Sequence, residues 1–459
     1  MLTDMNYNYF IEKYNVPAPR YTSYPAMPYW DTDNFDKGAW EFSVKQSFNQ
    51  SNHPDGISLY VHLPFCESLC TYCGCNTRIT KNHQVEQPYI QAVLKEWKMY
   101  RRIMAGIPLI REIHLGGGTP TFFSAENLKL LVEGLLSGAC VHKEAEFSFE
   151  AHPANTSADH LKTLHDLGFR RLSIGVQDFD PKVQKAINRR QSYADVKAVT
   201  DMAREIGYTS INYDLIYGLP MQSIVGLITT IQQVHELKPD RIAFYSYAHM
   251  PWVKPGQRGF TDFDLPDPQV KNQLHEIGRE TLQSYGYKEI GMDHFALPGD
   301  GLFIAKCSGN LHRNFMGYTP GRTQLLIGLG VSAISDSYCA FAQNVKTVEE
   351  YVDMVNSGTL PVFKGHILTD EDLVIRQHIL NIMCKGYTQW SGYDSDLYPS
   401  FSEALERLKL LASDGLIELD EQGLWVTATG ERFLRNICMA FDVRIWENKP
   451  GTQSFSMAV

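Results

Sequence analysis

Four cysteines stand within ten positions of the sequence, directly after an alternating apolar stretch. They are Cys66, Cys70, Cys73 and Cys75 in the segment YVHLPFCESLCTYCGCN. Thiolates are common protein ligands of zinc and of iron–sulfur clusters, so this group predicts a metal site. Two interpretations are open at this point. Either all four thiolates close around a metal, or three of them bind it and leave one coordination position reactive.

The spacing C-x3-C-x2-C-x-C favours the second interpretation. Structural zinc sites usually combine two short cysteine pairs that are about a dozen or more residues apart, and no second pair follows this segment. Three cysteines from one loop suit three irons of a cubic 4Fe-4S cluster, whose fourth iron stays open. The amino and carboxylate groups of S-adenosylmethionine would fill that position. Structural zinc and plain buried thiols remain the alternatives.

A glycine-rich stretch, HLGGGTP at residues 114 to 120, follows the next β-rich run. Successive glycines let the backbone approach a ligand closely and adopt dihedral angles that other residues avoid. An ordinary strand-to-helix turn is the alternative. Because the stretch comes one strand after the cysteines, we expect a cofactor-binding turn.

The elements that position these residues alternate regularly between about residues 56 and 250. The β-rich runs are ISLYVHL, REIHLGG, EFSFEAH, RRLSIGVQ, TSINYDLIYGL and RIAFYSYAH, and helical stretches such as AENLKLLVEGLL separate them. Six strand-then-helix units predict an α/β fold with a parallel sheet that curls toward a barrel, a partial (β/α)6 relative of the TIM barrel. In such sheets the site lies at the carboxyl ends of the strands.

Several residues at these strand ends are candidates for the same site. Glu150 ends the third strand, Gln177 the fourth, Asp214 lies in the fifth, and Ala248 is near the end of the sixth. Side chains at successive strand ends converge on one mouth of a barrel. Each polar residue could instead cap a helix.

The rest of the chain predicts two smaller parts around this barrel. Residues 1–50 have aromatics and prolines but little periodicity, which predicts an extended N-terminal arm, and residues 51–365 form the catalytic barrel. Residues 366–459 combine helical stretches with a strand-turn-strand, which predicts a small, mostly helical, winged-helix-like domain.

The composition excludes several classes of function. The chain has 459 residues, 44% hydrophobic content and a net charge of −10, which fits a globular protein and argues against nucleic acid as the main partner. No stretch approaches the roughly 20 apolar residues of a membrane span, and the N-terminus lacks a signal-like apolar segment. We therefore expect a cytoplasmic protein whose scattered cysteines are buried thiols.

The motifs together resemble the radical S-adenosylmethionine enzymes, and within them the oxygen-independent coproporphyrinogen III oxidases (coproporphyrinogen dehydrogenases). The first three cysteines identify only the superfamily. Cys75 and the motifs VQDF, YGLP, HRNFMGYT and NICMAFD point to the oxidases, and the resemblance runs from PRYTSYP near residue 20 to RNICMAFD near residue 440. It implies that Cys66, Cys70 and Cys73 hold the 4Fe-4S cluster and that Cys75 does not.

The resemblance also implies two bound S-adenosylmethionine molecules. The residues expected to contact the one on the cluster are Tyr60, Gly117, Glu150 and Ile334, of which Tyr60 and Glu150 are the predicted catalytic residues. The residues expected to contact the second are Tyr72, Gly118, Thr119, Gln177, Arg189, Asp214 and Ala248. Two positions depart from the family pattern: Tyr72 replaces Phe, and His152 replaces Asp.

The implied substrate is coproporphyrinogen III, a tetrapyrrole with four propionates. Its charge requires cations at the site, for which Arg20, His312 and Arg313 are candidates, with ordinary salt bridges as the alternative. The implied reaction converts two propionates to vinyl groups in haem and porphyrin biosynthesis, giving protoporphyrinogen IX, and an external donor such as flavodoxin or ferredoxin supplies electrons. A haem-binding or haem-degrading relative and a non-enzymatic metal scaffold are the other hypotheses.

Overall fold

The computed structural model describes residues 4–391, 397–447 and 455–458. The strands, numbered along the chain, are β1 (Ile57–Leu63), β2 (Phe65–Cys66), β3 (Arg78–Ile79), β4 (Leu109–Gly117), β5 (Cys140–Ala151), β6 (Phe169–Gln177), β7 (Ser210–Tyr217), β8 (Arg241–Ser246), β9 (Lys288–Gly291), β10 (His294–Ala296), β11 (His312–Asn314), β12 (Gly317–Thr319), β13 (Leu326–Leu329), β14 (Ile334–Asp336), β15 (Ala340–Asn344), β16 (Val362–Ile367), β17 (Tyr387–Gln389), β18 (Ile417–Leu419) and β19 (Gly423–Val426). The helices are α1 (Asp4–Tyr14), α2 (Lys37–Asp55), α3 (Glu86–Met104), α4 (Ala125–Leu136), α5 (Ala158–Asp166), α6 (Pro181–Ala186), α7 (Tyr193–Ile206), α8 (Ile224–Leu237), α9 (Pro268–Ser284), α10 (Gly301–Ser308), α11 (Val348–Asn356), α12 (Asp370–Lys385), α13 (Pro399–Ser413), α14 (Leu434–Met439) and α15 (Val443–Glu447).

Six parallel strands form the centre of a large mixed sheet. Strands β1, β4, β5, β6, β7 and β8 pair in chain order, and β13 adds a seventh parallel strand beside β1. Antiparallel strands extend both edges, β14 to β16 at one and β10 and β9 at the other. In the described part of the chain these outer edges do not pair with each other. The predicted α/β class, with six β/α units in a partial barrel, is confirmed.

The alternation of side chains along the strands separates an apolar outer face from a polar interior. On β7, Ile211, Tyr213 and Leu215 are fully buried under the helices, whereas Asn212 and Asp214 line an interior cavity of 220 Å3. This period of two is the expected consequence of the strand geometry. The apolar side chains of the strands therefore pack between the sheet and the surrounding helices. The polar side chains point into the interior of the barrel.

Capping residues begin the surrounding helices where the sequence predicts them. Ser124 accepts a hydrogen bond from the backbone N–H of Asn127, so α4 covers the predicted residues. Ser192 and Asp195 form a reciprocal capping box at the start of α7, and Gly207 ends that helix in a left-handed conformation. Local sequence thus fixes where these two helices begin.

The N-terminal segment contains more helix than its low periodicity predicts. Residues 15–36 have little regular structure, but α1 precedes them and α2 follows them. Ser43, Ser47 and Ser51 face the core from α2, and their hydroxyls bond to backbone or to Ser337. Trp40, Val44 and Phe48 face the core beside these serines. The small polar residues between them weaken the hydrophobic period, which is why the sequence did not reveal this helix.

The N-terminal and C-terminal segments share a second hydrophobic core. Phe10, Tyr14 and Tyr24 pack in one cluster with residues of α12, α13 and α14. The backbone of Ala18 also pairs with Ser456, and the side chain of Arg435 donates hydrogen bonds to the carbonyls of both segments. We call this contact, between residues 10–24 and residues 433–442 with 455–458, the terminal seam. The predicted boundaries at residues 50 and 365 stay a prediction.

The C-terminal part has the predicted mixture of elements. Helices α12 and α13 pack beside a three-stranded antiparallel sheet in the order β17, β19, β18. No helix among the described residues is long and apolar enough to cross a membrane.

Candidate active site

A short parallel pair of strands closes the cysteine loop just beyond the end of β1. Strand β2 pairs with β3, and the backbone N–H of Thr80 donates to the carbonyl of Cys66 at 2.9 Å. Cys66, Cys70 and Cys73 are half-buried and Cys75 is exposed. All four line a cavity of 540 Å3 at the carboxyl ends of the parallel strands.

The glycine turn after β4 lies directly against this loop. A Cβ on Gly118 would lie 2.6 Å from the carbonyl oxygen of Pro64 and 3.0 Å from Sγ of Cys66, and Gly117 has a φ of +116°. Only glycine allows both this approach and this conformation. The side chain of Thr119 adds a hydrogen bond of 3.3 Å to Cys66 Sγ. The turn therefore packs tightly against the first cysteine.

Glu150, at the end of β5, is held from two sides. The backbone N–H of Gly117 donates to it at 3.2 Å, and Nε2 of His114 lies 3.5 Å from Oε1 of its carboxylate. Burial alone would raise the pKa of Glu150, but these hydrogen bonds lower it below its ordinary value. Glu150 is thus an ionised acceptor at the floor of the cavity.

Tyr60 lies beside this carboxylate rather than on the cavity surface. Its ring stacks on His114 with centroids 5.9 Å apart, and its hydroxyl donates to Nδ1 of His62 at 3.1 Å. That direction follows because Nε2 of His62 donates to the carbonyl of Asn76 at 2.8 Å. Tyr60 therefore links β1, β4 and the end of the cysteine loop.

Arg189 joins the cysteine loop to the sheet. Its guanidinium donates to the carbonyl of Gly175 at 2.6 Å and to Oε1 of Gln191 at 3.1 Å. The same group lies 3.7 Å from Sγ of Cys70 and 3.4 Å from the hydroxyl of Tyr72. A buried guanidinium with these contacts positions the loop against β6.

Asp214 lies on the same floor but in a different electrostatic state. The side chains of Ser173 and Asn212 donate to its carboxylate at 3.1 and 2.9 Å. Burial, together with the charge of Glu150, nevertheless raises the pKa of Asp214 to about 6. Two carboxylates on one floor thus have pKa values on opposite sides of their ordinary range.

His152 also lines the cavity, as a neutral imidazole. Its Nδ1 accepts the backbone N–H of Ala154 at 3.2 Å, which leaves the proton on Nε2. Burial and the nearby Arg189 lower the pKa of His152 to about 3. The residue at this position is therefore a hydrogen-bond donor without charge.

The three predicted cysteine ligands fit an iron–sulfur cluster. Burial raises the pKa of Cys66 to about 11 and raises that of Cys70, so metal binding would be needed to hold these thiols as thiolates. Among the described residues, no three His, Cys, Asp or Glu side chains are placed to bind a single metal ion. A cubic cluster requires a different arrangement, with one thiolate for each iron. The three half-buried cysteines stand on one loop and all line the 540 Å3 cavity, which meets that need.

Most of the predicted site residues meet in this one cavity. Its lining includes Cys66, Cys70, Tyr72, Cys73, Gly117, Gly118, Thr119, Glu150, Gln177, Arg189 and Asp214. Ala248 is linked to the cavity through Gln257. The Nε2 of Gln257 donates hydrogen bonds of 3.2 Å to the carbonyl of Ala248 and to that of Tyr72, which lines the cavity. Ile334 instead packs with Trp30 and Phe341. The roles of all these residues stay predictions.

The candidate substrate cations do not line this cavity themselves, but the guanidinium of Arg20 lies 5.5 Å from the ring of Tyr245, which does. Arg20 forms an ion pair with Asp293, and Arg313 is buried against the ring of Tyr318 with its Nη2 donating to the carbonyl of Arg20 at 3.2 Å. His312 lines a separate cavity beside α12. Their predicted role in binding the substrate's propionates stays a prediction.

Several residues of the site were not found by sequence analysis. His114, Ser173 and Asn212 position the two floor carboxylates, and Tyr245 lines the cavity from β8. His114 and Ser173 alternate with apolar residues along their strands, so the period of two placed them on the inner face. That alternation was the available signal.

Comparison with known proteins gives this geometry a context. The model of the radical SAM superfamily matches residues 60–233. The oxygen-independent coproporphyrinogen III oxidases of Escherichia coli (strain K12) and Synechocystis sp. are 40% and 36% identical to the chain, each over 98% of it and 97% of the relative. The solved structure of coproporphyrinogen III oxidase (HemN) from Escherichia coli, described as a radical SAM enzyme, is 39% identical with a TM-score of 0.86 and covers 92% of this chain and 97% of its own. Identity at this level over the whole barrel, arm and C-terminal part places the chain in the family of oxygen-independent coproporphyrinogen III oxidases.

Proposed function

We propose that the chain converts two propionates of coproporphyrinogen III to vinyl groups and releases protoporphyrinogen IX. The observation that supports this proposal best is the cavity itself, which combines three cysteines on one loop, a glycine turn against the first of them, and a floor of carboxylates. The relatives that share nearly the full length are named for the same activity.

We propose Cys66, Cys70 and Cys73 as the cluster ligands. When bound, the reduced cluster and S-adenosylmethionine supply the radical that removes a hydrogen atom from the β-carbon of a propionate. Loss of carbon dioxide, with transfer of one electron to an external electron acceptor, would then leave the vinyl group. The remaining chemistry is binding and orientation, which is how proteins contribute when a cofactor performs the difficult step.

The protein residues have separable tasks in this proposal. The ionised Glu150 accepts hydrogen bonds from the cofactor's polar groups, and Gly117 and His114 hold that carboxylate in place. Tyr60 stacks on His114. Arg189 keeps Tyr72 and the cysteine loop against the sheet. Tyr72, Gln177 and Asp214 line the space in which we propose a second S-adenosylmethionine. A reduced flavodoxin or ferredoxin is the proposed electron donor.

Anaerobic reconstitution tests the function directly. The reconstituted protein, given a reductant, S-adenosylmethionine and coproporphyrinogen III, should form 5'-deoxyadenosine, carbon dioxide and vinyl-bearing product. Liquid chromatography with mass detection follows all three. Haem transfer without vinyl formation would instead indicate a haem chaperone, and 5'-deoxyadenosine formation without loss of carbon dioxide would contradict the proposed substrate.

A further inference from the structure

Two cations on the wall of the cavity have no partner. Lys81 and Arg190 both line it, and both are exposed. Within the part of the chain that the structure describes, neither side chain makes an ion pair or a hydrogen bond. We call these two residues the cationic rim.

The other charged groups of the cavity are already engaged. Glu150 accepts from Gly117, and Asp214 accepts from Ser173 and Asn212. Arg189 is buried and donates hydrogen bonds to the carbonyl of Gly175 and to Oε1 of Gln191. The positive charge that is free to meet a ligand therefore lies on the rim.

The backbones of the two rim residues are held, so only their side chains need to move. The N–H of Thr80, next to Lys81, donates to the carbonyl of Cys66 at 2.9 Å. Arg190 lies between Arg189 and Gln191, and the side chains of both neighbours bond to the carbonyl of Gly175.

The segments that contain the two rim residues also contact each other. The side chain of Asn188 donates to the carbonyl of Leu69 in the cysteine loop at 2.8 Å. The rim is therefore anchored to the cysteine loop from both segments.

We propose that Lys81 and Arg190 bind carboxylates of the tetrapyrrole, each cation taking one propionate as the macrocycle enters the cavity. The proposal rests on the proposed function and names the residues that select its substrate. Charge-assisted hydrogen bonds from lysine and arginine suit carboxylates. The same chemistry would also suit the carboxylate of S-adenosylmethionine, so the test separates the two sources.

Fluorescence titration with coproporphyrin III, the oxidised macrocycle with the same four carboxylates, measures binding without turnover. With the anaerobically reconstituted protein, Lys81→Gln and Arg190→Gln should each weaken binding about 10- to 150-fold, the range expected for one charged hydrogen bond. Raising the salt concentration should weaken binding to the wild type more than to the double variant. In turnover, KM should rise while kcat stays close to that of the wild type.

Two exposed cations far from the cavity serve as matched controls. Lys162 lies on α5 and Arg102 on α3, and Lys162→Gln and Arg102→Gln should leave coproporphyrin binding within about twofold. Cluster absorbance should be unchanged in every variant. Equilibrium dialysis with labelled S-adenosylmethionine should give the wild-type affinity for the double variant.

Two results would contradict the proposal that the cationic rim binds the propionates. One is unchanged affinity of the double variant for coproporphyrin III, and the other is a loss of affinity for S-adenosylmethionine alone, which would assign the cations to the cofactor carboxylate. Failure of the wild type to form vinyl groups would contradict the proposed function instead. The binding measurements therefore test the cationic rim, and the turnover assay tests the proposed function, independently of each other.

Discussion

The cavity and the terminal seam use their cations in opposite ways. In the seam, Arg435 is buried and donates to carbonyls of Pro19, Ser456 and Met457. At the cavity, Lys81 and Arg190 are exposed and unpaired among the described residues. A buried guanidinium that is fully hydrogen-bonded stabilises the fold, whereas an unpaired cation on a cavity wall is available to a ligand.

The predicted site residues also fall into two groups. Some were predicted from sequence motifs, and others from their position at the ends of the parallel strands. Arg20 and Arg313 were chosen because they stand in family motifs with aromatics, and the structure places Arg20 in an ion pair and Arg313 beneath the seam. The strand-end residues Glu150, Gln177 and Asp214 were chosen by topology and do line the cavity. Position in the sheet therefore predicted which residues line the cavity, and the roles of both groups of residues stay predictions.

The largest expected effect separates two cysteines within the cavity. Cys66→Ser should abolish vinyl formation and cluster assembly, because one of the three proposed ligands is lost. Cys75→Ser should keep the cluster, since the proposal leaves this exposed residue out of the ligand set. Iron content per chain and visible absorbance after anaerobic reconstitution measure both. Equal loss in the two variants would contradict a three-cysteine site.

A seam variant should damage the fold rather than the chemistry. Arg435→Ala leaves several buried carbonyls without a donor, and we expect the free energy of unfolding to fall by about 3–5 kcal/mol. Urea denaturation monitored by circular dichroism gives the change. The exposed Arg102→Ala should shift it by no more than about 0.5 kcal/mol. A stable Arg435→Ala protein would show that the seam contributes little.

A floor variant should damage the chemistry rather than the fold. Glu150→Gln keeps the size of the side chain but removes the charge that accepts from Gly117, so kcat/KM should fall about 10- to 100-fold. Cluster content should be normal. The exposed Glu144→Gln is the control and should retain the wild-type rate. Unchanged turnover in Glu150→Gln would remove this residue from the proposed machinery.

The smallest effect tests the electrostatics at the start of α12. Burial alone would raise the pKa of Asp372, but hydrogen bonds from His366 and Thr369 and the charge of Arg444 lower it to about 2. Because the folded pKa lies below the unfolded value, this stabilisation is present above about pH 4 and is lost as the pH falls toward 2. It amounts to about 2 kcal/mol.

Asp372→Asn should therefore flatten the acid limb of the stability curve between pH 4 and pH 2. Thermal unfolding across that range compares the variant with the wild type. Equal slopes for the two proteins would contradict the assignment. The exposed Asp159→Asn on α5 provides the control, because no comparable network surrounds it.

The sequence was sufficient to predict those helices and strands whose bounds depend on their own residues. Helix α4 matches its predicted bounds because Ser124 caps it and its apolar residues recur at helical spacing. Helix α2 was not predicted because polar serines share its core-facing side with the apolar residues, and two of these serines are matched by the distant Ser337. The rim could not be predicted either, since the direction of a loop side chain such as Arg190 depends on contacts between distant segments.

The contacts of Arg189 have a consequence for handling the protein in air. This one guanidinium holds the sulfur of Cys70 on one side and the backbone of β6 on the other. Oxidation by air that draws Cys70 into a disulfide would move its sulfur away from Arg189 and remove one of the ties between the metal-binding loop and the sheet. Exposed loops that lose such ties become the preferred sites of protease cleavage, so oxygen-damaged preparations should be nicked first between residues 67 and 80.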